Sequence, residues 1–365
     1  SSSFEWDDRA DIVEFSLPVN TLGSDRWLIL TETERAARRK ISDRSDTTLG
    51  DEERFTVGSP LMSGQNATLQ AELVKRESDR YHVKNSRIEA TVKSDIWRPL
   101  ITSDEVNRWK VGSPNEVMFF PYVSDGDEYK LIDEDTFESE YSNSYKELVE
   151  YKTKLLNRKD SRQTYKQRGR AWYCLGRVGT PHNFDHSKIV TDIVVNEPHF
   201  CIDTEKYVFS HGYLHGITPH ETDLYYLTGL LNTQAIFSYL KPICPPKNNG
   251  YMKMEVEQLK AAPVYLPEIR EELCTELSRQ LDEHEGDYEE LAQLMSSQGL
   301  NEISSSSKGA KMIASNMLRE VSKKIIEEYD SLSENDIEHL ESVNEQLSRI
   351  IFELDEEEQD ALYRI

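Results

Sequence analysis

The sequence predicts an α+β protein: a mostly antiparallel curved sheet with helices, followed by an acidic helical C-terminal segment. Short apolar runs punctuated by Gly, Pro, Ser and Asn recur through the first two-thirds of the chain, as strands do. From Pro267 onward the pattern changes to long acidic stretches with Leu and Ile at helical spacing. The length, 365 residues with 37% hydrophobic content, is enough for two domains, or for one large domain with an appendage.

Each element has a local reason. Residues 12–15 and 27–30 are apolar runs that read as strands, and 31–41 reads as a short helix of mixed charge. Residues 57–66, VGSPLMSGQN, form a loop in which Gly58 and Gly64 permit positive φ or close backbone approach. Residues 68–74, 81–89 and 117–122 read as strands, and 96–109 as a turn-rich segment. A helix is expected over 144–157, with Leu148, Tyr151 and Leu155 on one side. Three more strands follow at 188–195, 199–202 and 207–209. Asp223 is placed to cap a helix whose face carries Leu224, Leu227, Leu230 and Leu231. Residues 245–250 form a loop. A Gly/Ser-rich break at 296–308 divides the C-terminal helices, the last with a stripe of Leu340, Val343, Leu347, Ile350 and Ile351.

Charge is the most informative feature. The chain carries a net −24, and residues 268–365 alone hold 26 acids against 9 bases. Such an excess suits a cytoplasm of very high salt, so a halophilic source is expected. Against this background residues 151–188 hold ten Lys or Arg and only two acids, Asp160 and Asp185. The same stretch carries Tyr151, Tyr165, Trp172, Tyr173 and Phe184, a composition expected of a nucleic-acid-facing surface. The plainer reading is a solvated helix followed by a buried aromatic strand. Gln65 and Asn66 at the first loop, and Arg158, Lys159, Arg162, Lys166, Arg168, Arg170, Arg177 and Lys188, are the DNA-contact candidates. Arg and Lys match phosphate and guanine O6/N7, whereas Asn and Gln match adenine N6/N7.

Catalytic patterns are absent from the sequence. It contains no GxSxG, HExxH, Walker motif or GxGxxG. Cys244-Pro245-Pro246-Lys247 differs from an Asn-Pro-Pro-aromatic motif at both ends, and the acids around Asp203 have the wrong spacing for a PD…ExK nuclease. Cys174, Cys201, Cys244 and Cys274 are too widely spaced for zinc and fit a reducing cytoplasm. Six histidines between His182 and His220 read as ordinary surface or core residues rather than as a metal site, so neither a catalytic nor a metal residue is assigned. No run of 18 apolar residues and no leader pattern occurs, so neither a membrane span nor a signal peptide is expected.

The order of segments carries a family resemblance. The Gly58 to Asn66 loop is followed by IEATVKSDIWRPLITSDEVNRW, MFFPY, LLNRK, AWYCLGR, KIVTDIV, FCIDTEKY, YYLTGLLNT and LKAAPVYLP, and the chain ends in DEEEQDAL and a few residues more. Together these resemble the C-terminal specificity region of TaqI-type adenine-N6 DNA methyltransferases, including fused type IIG restriction-modification enzymes. Ser63-Gly64-Gln65-Asn66 departs from the family's Thr-Gly pair at the first loop. The resemblance implies sequence-specific recognition of double-stranded DNA for a methyltransferase domain, on the same polypeptide or a separate subunit. No cofactor is expected in this chain; S-adenosylmethionine is implied for the parent enzyme. The chain begins without Met, which reads as a fragment or a separately encoded part. The expected division is a lead-in at 1–56 packing on an absent methyltransferase domain, a recognition domain at 57–267 and an acidic helical spacer at 268–365. Two other readings stay open: a protein-interaction module working through the acidic helices, and a nuclease using the acids near Asp203.

Overall fold

The structure, a computed structural model, describes residues 30–58, 61–210, 212–283 and 307–364. The strands expected at 12–15 and 27–30 lie outside these residues, apart from Leu30, as does most of the break at 296–308. The fold is α+β, with two large sheets, smaller ribbons and helices.

Eleven strands build the large sheets: β1 (Phe55–Gly58), β2 (Gln70–Arg76), β3 (Arg80–Lys84), β4 (Glu89–Lys93), β5 (Trp97–Ile101), β6 (Trp109–Lys110), β7 (Glu116–Phe119), β8 (Lys188–Asp192), β9 (Phe200–Asp203), β10 (Val208–Phe209) and β11 (Leu214–Pro219). The five-stranded sheet runs β1-β11-β8-β9-β6, antiparallel except where Cys201 of β9 meets Trp109 of β6. The six-stranded sheet runs β10-β5-β7-β2-β3-β4, again antiparallel except for the β10–β5 pair.

Strands β8 and β9 read KIVTD and FCID because both faces of the five-stranded sheet are covered. Ile189, Phe200, Ile217 and Phe55 point into one hydrophobic core, shared with the C-terminal helices. Val190, Cys201 and Leu214, one residue out of phase, point into a second core shared with the six-stranded sheet.

The segment 96–109, expected to be turns, contains the interior strand β5. Pro99 hides it from a sequence reading. The Phe120 amide bonds the Ile96 carbonyl at 2.7 Å, so alternation turns the nitrogen of Pro99 away from β7. On the other side β10 pairs only with Leu100 and Ile101, so no ladder bond is lost. The helix expected at 144–157 is two pieces, Ser142–Val149 and Lys152–Leu156, with Leu148 and Leu155 buried.

Behind the five-stranded sheet lie the helices α1 (Glu32–Arg44), α2 (Leu224–Leu231), α3 (Gln234–Leu240), α4 (Glu271–Glu283), α5 (Ser307–Glu328), α6 (Glu334–Phe352) and α7 (Glu356–Arg364). Asp223 caps α2 by accepting from the Tyr226 amide at 2.9 Å. The α6 stripe is buried at Leu340, Val343, Leu347 and Ile351, with Ile350 half-buried. Acids of the C-terminal helices meet bases from earlier segments, Arg108–Glu341 at 2.9 Å and Lys40–Glu358 at 2.6 Å, and Arg319 of α5 meets the earlier Asp223 at 3.0 Å. The acidic segment therefore packs on the protein itself.

Candidate nucleic-acid interface

The first loop and the basic strip, almost a hundred residues apart in the chain, are sewn together by main-chain bonds. The Met62 amide donates to the Arg177 carbonyl at 2.9 Å, and the Gly176 amide donates to the Met62 carbonyl at 2.7 Å. Gly64 sits at φ +73, where a side chain is strained, and a Cβ there would lie 3.3 Å from the Tyr165 hydroxyl. Gly58 is needed for close approach instead: a Cβ would collide with the amide of Asn183. Ser63 is buried; its hydroxyl accepts from the Gln65 amide at 3.0 Å and donates to Asn66 Oδ1. Asn66 is exposed and Gln65 half-buried at the loop's rim.

The strip itself folds into helix Lys152–Leu156, a small hairpin pairing Lys159–Asp160 with Gln163–Thr164, and an extended return to Arg177. The hairpin turns through Ser161 at φ +59. Lys154, Lys159, Arg162, Lys166 and Arg177 are exposed and form no ion pair among the described residues. Arg168 and Arg170 share Asp160, at 2.8 and 3.6 Å, and Lys152 binds Glu134 at 2.7 Å. A shallow recess between the loop and the helix is lined by Gly64, Gln65, Glu150, Lys154 and Asn157, with the mostly buried Arg158 at its floor.

Burial sets two of the DNA-contact candidates, Arg158 and Lys188, apart from the rest. Arg158 is 7% exposed, and its guanidinium donates to the carbonyls of Leu155, Ser63, Trp172 and Cys174, each at 2.8 Å. Lys188 is fully buried against Asp203, 2.5 Å away. Asp203 is itself sealed in and also accepts from the Tyr207 amide at 2.9 Å, which removes the footing of the nuclease reading. The aromatics of the strip are core residues too. Tyr165, Trp172, Tyr173 and Phe184 are buried, with Trp172 Nε1 donating to Glu134 at 2.8 Å and the Tyr173 hydroxyl to the Ile132 carbonyl at 2.8 Å. Along the strip most cations face water, whereas Tyr165, Trp172, Tyr173 and Phe184, with Arg158 and Lys188, face the core. Among the described residues no cluster of His, Cys, Asp or Glu could hold a metal ion.

Sequence reasoning missed Ser63 and Tyr165 as supports of the loop. It also missed Asn232, whose buried amide bonds both main-chain groups of Phe200, at 2.8 and 3.0 Å. The signal for Asn232 was its place at the end of YYLTGLLN, where a helix's last turn meets a strand edge.

The chain is similar to known proteins in three respects. Residues 136–264 match the profile of the TaqI-like C-terminal specificity domain. The type II restriction enzyme and methyltransferase RM.Eco57I of Escherichia coli is 21% identical over 253 residues, which is 64% of this chain and 24% of that protein. The chain thus spans about a quarter of the length of this curated relative. The crystal structure of the type IIG restriction endonuclease BpuSI aligns with a TM-score of 0.38 and 11% identity, covering 88% of this chain and 33% of that one. The matched segment holds the whole basic strip, both strands of its hairpin and helices α2 and α3, so the likeness to the TaqI-like C-terminal specificity domain falls on the part of the chain that carries the strip.

Proposed function

We propose that the chain recognises a DNA target sequence for an adenine-N6 DNA methyltransferase or a fused restriction-modification enzyme, with catalysis carried by another domain or subunit. The observation that carries this reading is the set of five exposed, unpaired cations on one strip beside the Gln65–Asn66 loop, in a chain of net −24. Cations of this kind set register on the phosphates, and the loop amides read base edges. The apolar stripes of the described acidic helices are buried within the chain, which leaves the protein-interaction reading little apolar surface among the described residues.

In this reading residues 57–267 face DNA, 268–365 stay behind the five-stranded sheet, and 1–56 lie toward the catalytic part. S-adenosylmethionine would belong to that catalytic part, and no residue of this chain is assigned to hold it. A cytoplasm of high salt is supported by the acid excess, and a reducing one by four buried, widely spaced cysteines. No described helix is long and apolar enough to cross a membrane.

The test is selection from a randomised duplex pool at stepped salt. One short motif, enriched more strongly as salt rises, is the expected result. Retention without a motif means a nonspecific surface, and no retention at low salt ends the DNA reading.

A further inference from the structure

The loop that faces the recess is held from beneath, and the manner of holding divides the labour among its side chains. Arg158 sits where three segments meet: the loop at Ser63, the end of helix Lys152–Leu156, and the turn 172–174. No carboxylate pairs with it among the described residues. Four carbonyl oxygens neutralise it instead, and the Tyr165 ring lies under its guanidinium at 4.3 Å. Only a planar fork of several N–H donors can tie that many acceptors at once.

One of those tethers is the Ser63 carbonyl, and the Ser63 hydroxyl then fixes the next turn. It receives the Gln65 amide, so its own hydrogen goes to Asn66 Oδ1. One end of the Asn66 side chain is thereby occupied. The Gln65 side-chain amide has no partner among the described residues and keeps both its donor and its acceptor. An adenine edge in the major groove asks for that pair, a donor to N7 and an acceptor from N6–H.

We propose that Arg158, with Ser63, is a positioning residue that presents the Gln65 amide to an adenine edge, and that Arg158 itself never touches DNA. The proposal rests on the DNA-recognition reading above. It goes further by assigning the base contact to Gln65 rather than Asn66 and by removing a buried arginine from the phosphate contacts.

The experiment compares Gln65→Ala, Arg158→Lys, Ser63→Ala and the unmodified chain on the selected duplex and on a scrambled one, across a salt series. Expected is a fall of about tenfold in the target-to-scrambled ratio for Gln65→Ala, the size of one lost base contact. Arg158→Lys and Ser63→Ala should fall in the same direction, with affinity for the scrambled duplex and its salt slope unchanged. Ser63→Ala keeps every Arg158 bond, so it tests the loop even if Arg158→Lys folds poorly. An unchanged ratio in Ser63→Ala and Arg158→Lys overturns the proposal. So does an equal loss on both duplexes with a salt slope smaller by about one, the mark of a phosphate contact. A wild-type chain that does not discriminate at all overturns the recognition reading instead, and this one with it.

Discussion

Replacing Gly229 by Ala should destabilise the chain even though Ala is the better helix former. Gly229 lies inside α2, where α5 crosses it, and all of α2 from Tyr226 to Leu231 is buried. A Cβ at Gly229 would overlap Ser322 Oγ, stand 2.6 Å from Leu318 Cδ2 and lie 3.1 Å from Ser322 Cβ. Helix propensity favours Ala over Gly by about 1 kcal/mol. Forcing a methyl into a packed crossing costs typically about 1–3 kcal/mol, and Ser322 has little freedom because its hydroxyl bonds the Leu318 carbonyl at 2.7 Å and receives Asn344 Nδ2 at 3.2 Å. The net expectation is a loss of roughly 0–2 kcal/mol after the propensity gain is set against the clash. Removing the obstructing hydroxyl should relieve part of it, so Gly229→Ala and Ser322→Ala should couple by about 1 kcal/mol in a double-mutant cycle. Urea unfolding followed by far-ultraviolet circular dichroism measures all four members. A stabilised Gly229→Ala, or strict additivity, would refute the claim that this glycine exists for close helix packing.

Three further perturbations address other joints of the fold. Asp203→Ala strands the Lys188 ammonium in the core and orphans the Tyr207 amide; the loss should be about 3–5 kcal/mol, largely recovered by adding Lys188→Met. Thermal melts of the single and double variants check it, and a mild single variant would mean the pair is wetter than its burial implies. Asn232→Ala unpairs both main-chain groups of Phe200 and should cost about 2–4 kcal/mol, with hydrogen exchange of the Phe200 amide rising as the direct readout. Burial pushes the Glu345 carboxyl up to about 7, assisted by Glu341 and opposed by the Gln234 amide and Arg108. The native state then binds more protons than the unfolded chain between the ordinary carboxyl value of 4.5 and about 7, so stability falls as pH rises through that window. Glu345→Gln should remove this slope, gaining on the wild type by roughly 1–3 kcal/mol between pH 5 and 7.5, and parallel pH profiles would exclude it.

Much of the fold was legible because its signals are local. The apolar runs KIVTD and FCID read as strands, and the Asp223 cap and the α6 stripe are set by spacing alone. What failed was whatever depends on the partner. Pro99 argues against an interior strand until one sees that β10 stops short of it. The helix at 144–157 breaks at Glu150–Tyr151, where the Tyr151 amide turns back to the Leu148 carbonyl, with no Gly or Pro to announce it. The site was legible as a region but not as a set of contacts. Composition locates a cationic strip, yet nothing in the sequence separates Arg158, which is neutralised by carbonyls in the interior, from Lys159 beside it in water.

On the proposed DNA-recognition reading, that separation bounds how the strip can hold DNA. Of the ten bases in the strip, Arg158 and Lys188 are buried, and Lys152, Arg168 and Arg170 are held by acids of the same chain. Five remain for phosphates: Lys154, Lys159, Arg162, Lys166 and Arg177. If each releases its share of counterions, the affinity of this strip falls with the logarithm of salt at a slope no steeper than about −4.5, against about −9 if all ten engaged. Arg162→Ala should flatten the measured slope by about one and weaken target and scrambled duplexes alike. Arg168→Ala should change the slope little, since Asp160 already balances that charge. A wild-type slope near −9 would mean that the ion pairs to Glu134 and Asp160 open on binding and that those acids move away. A slope within the bound leaves only a modest electrostatic contribution at high salt, so most of the affinity there has to come from base contacts at the loop, where one amide, that of Gln65, is held ready.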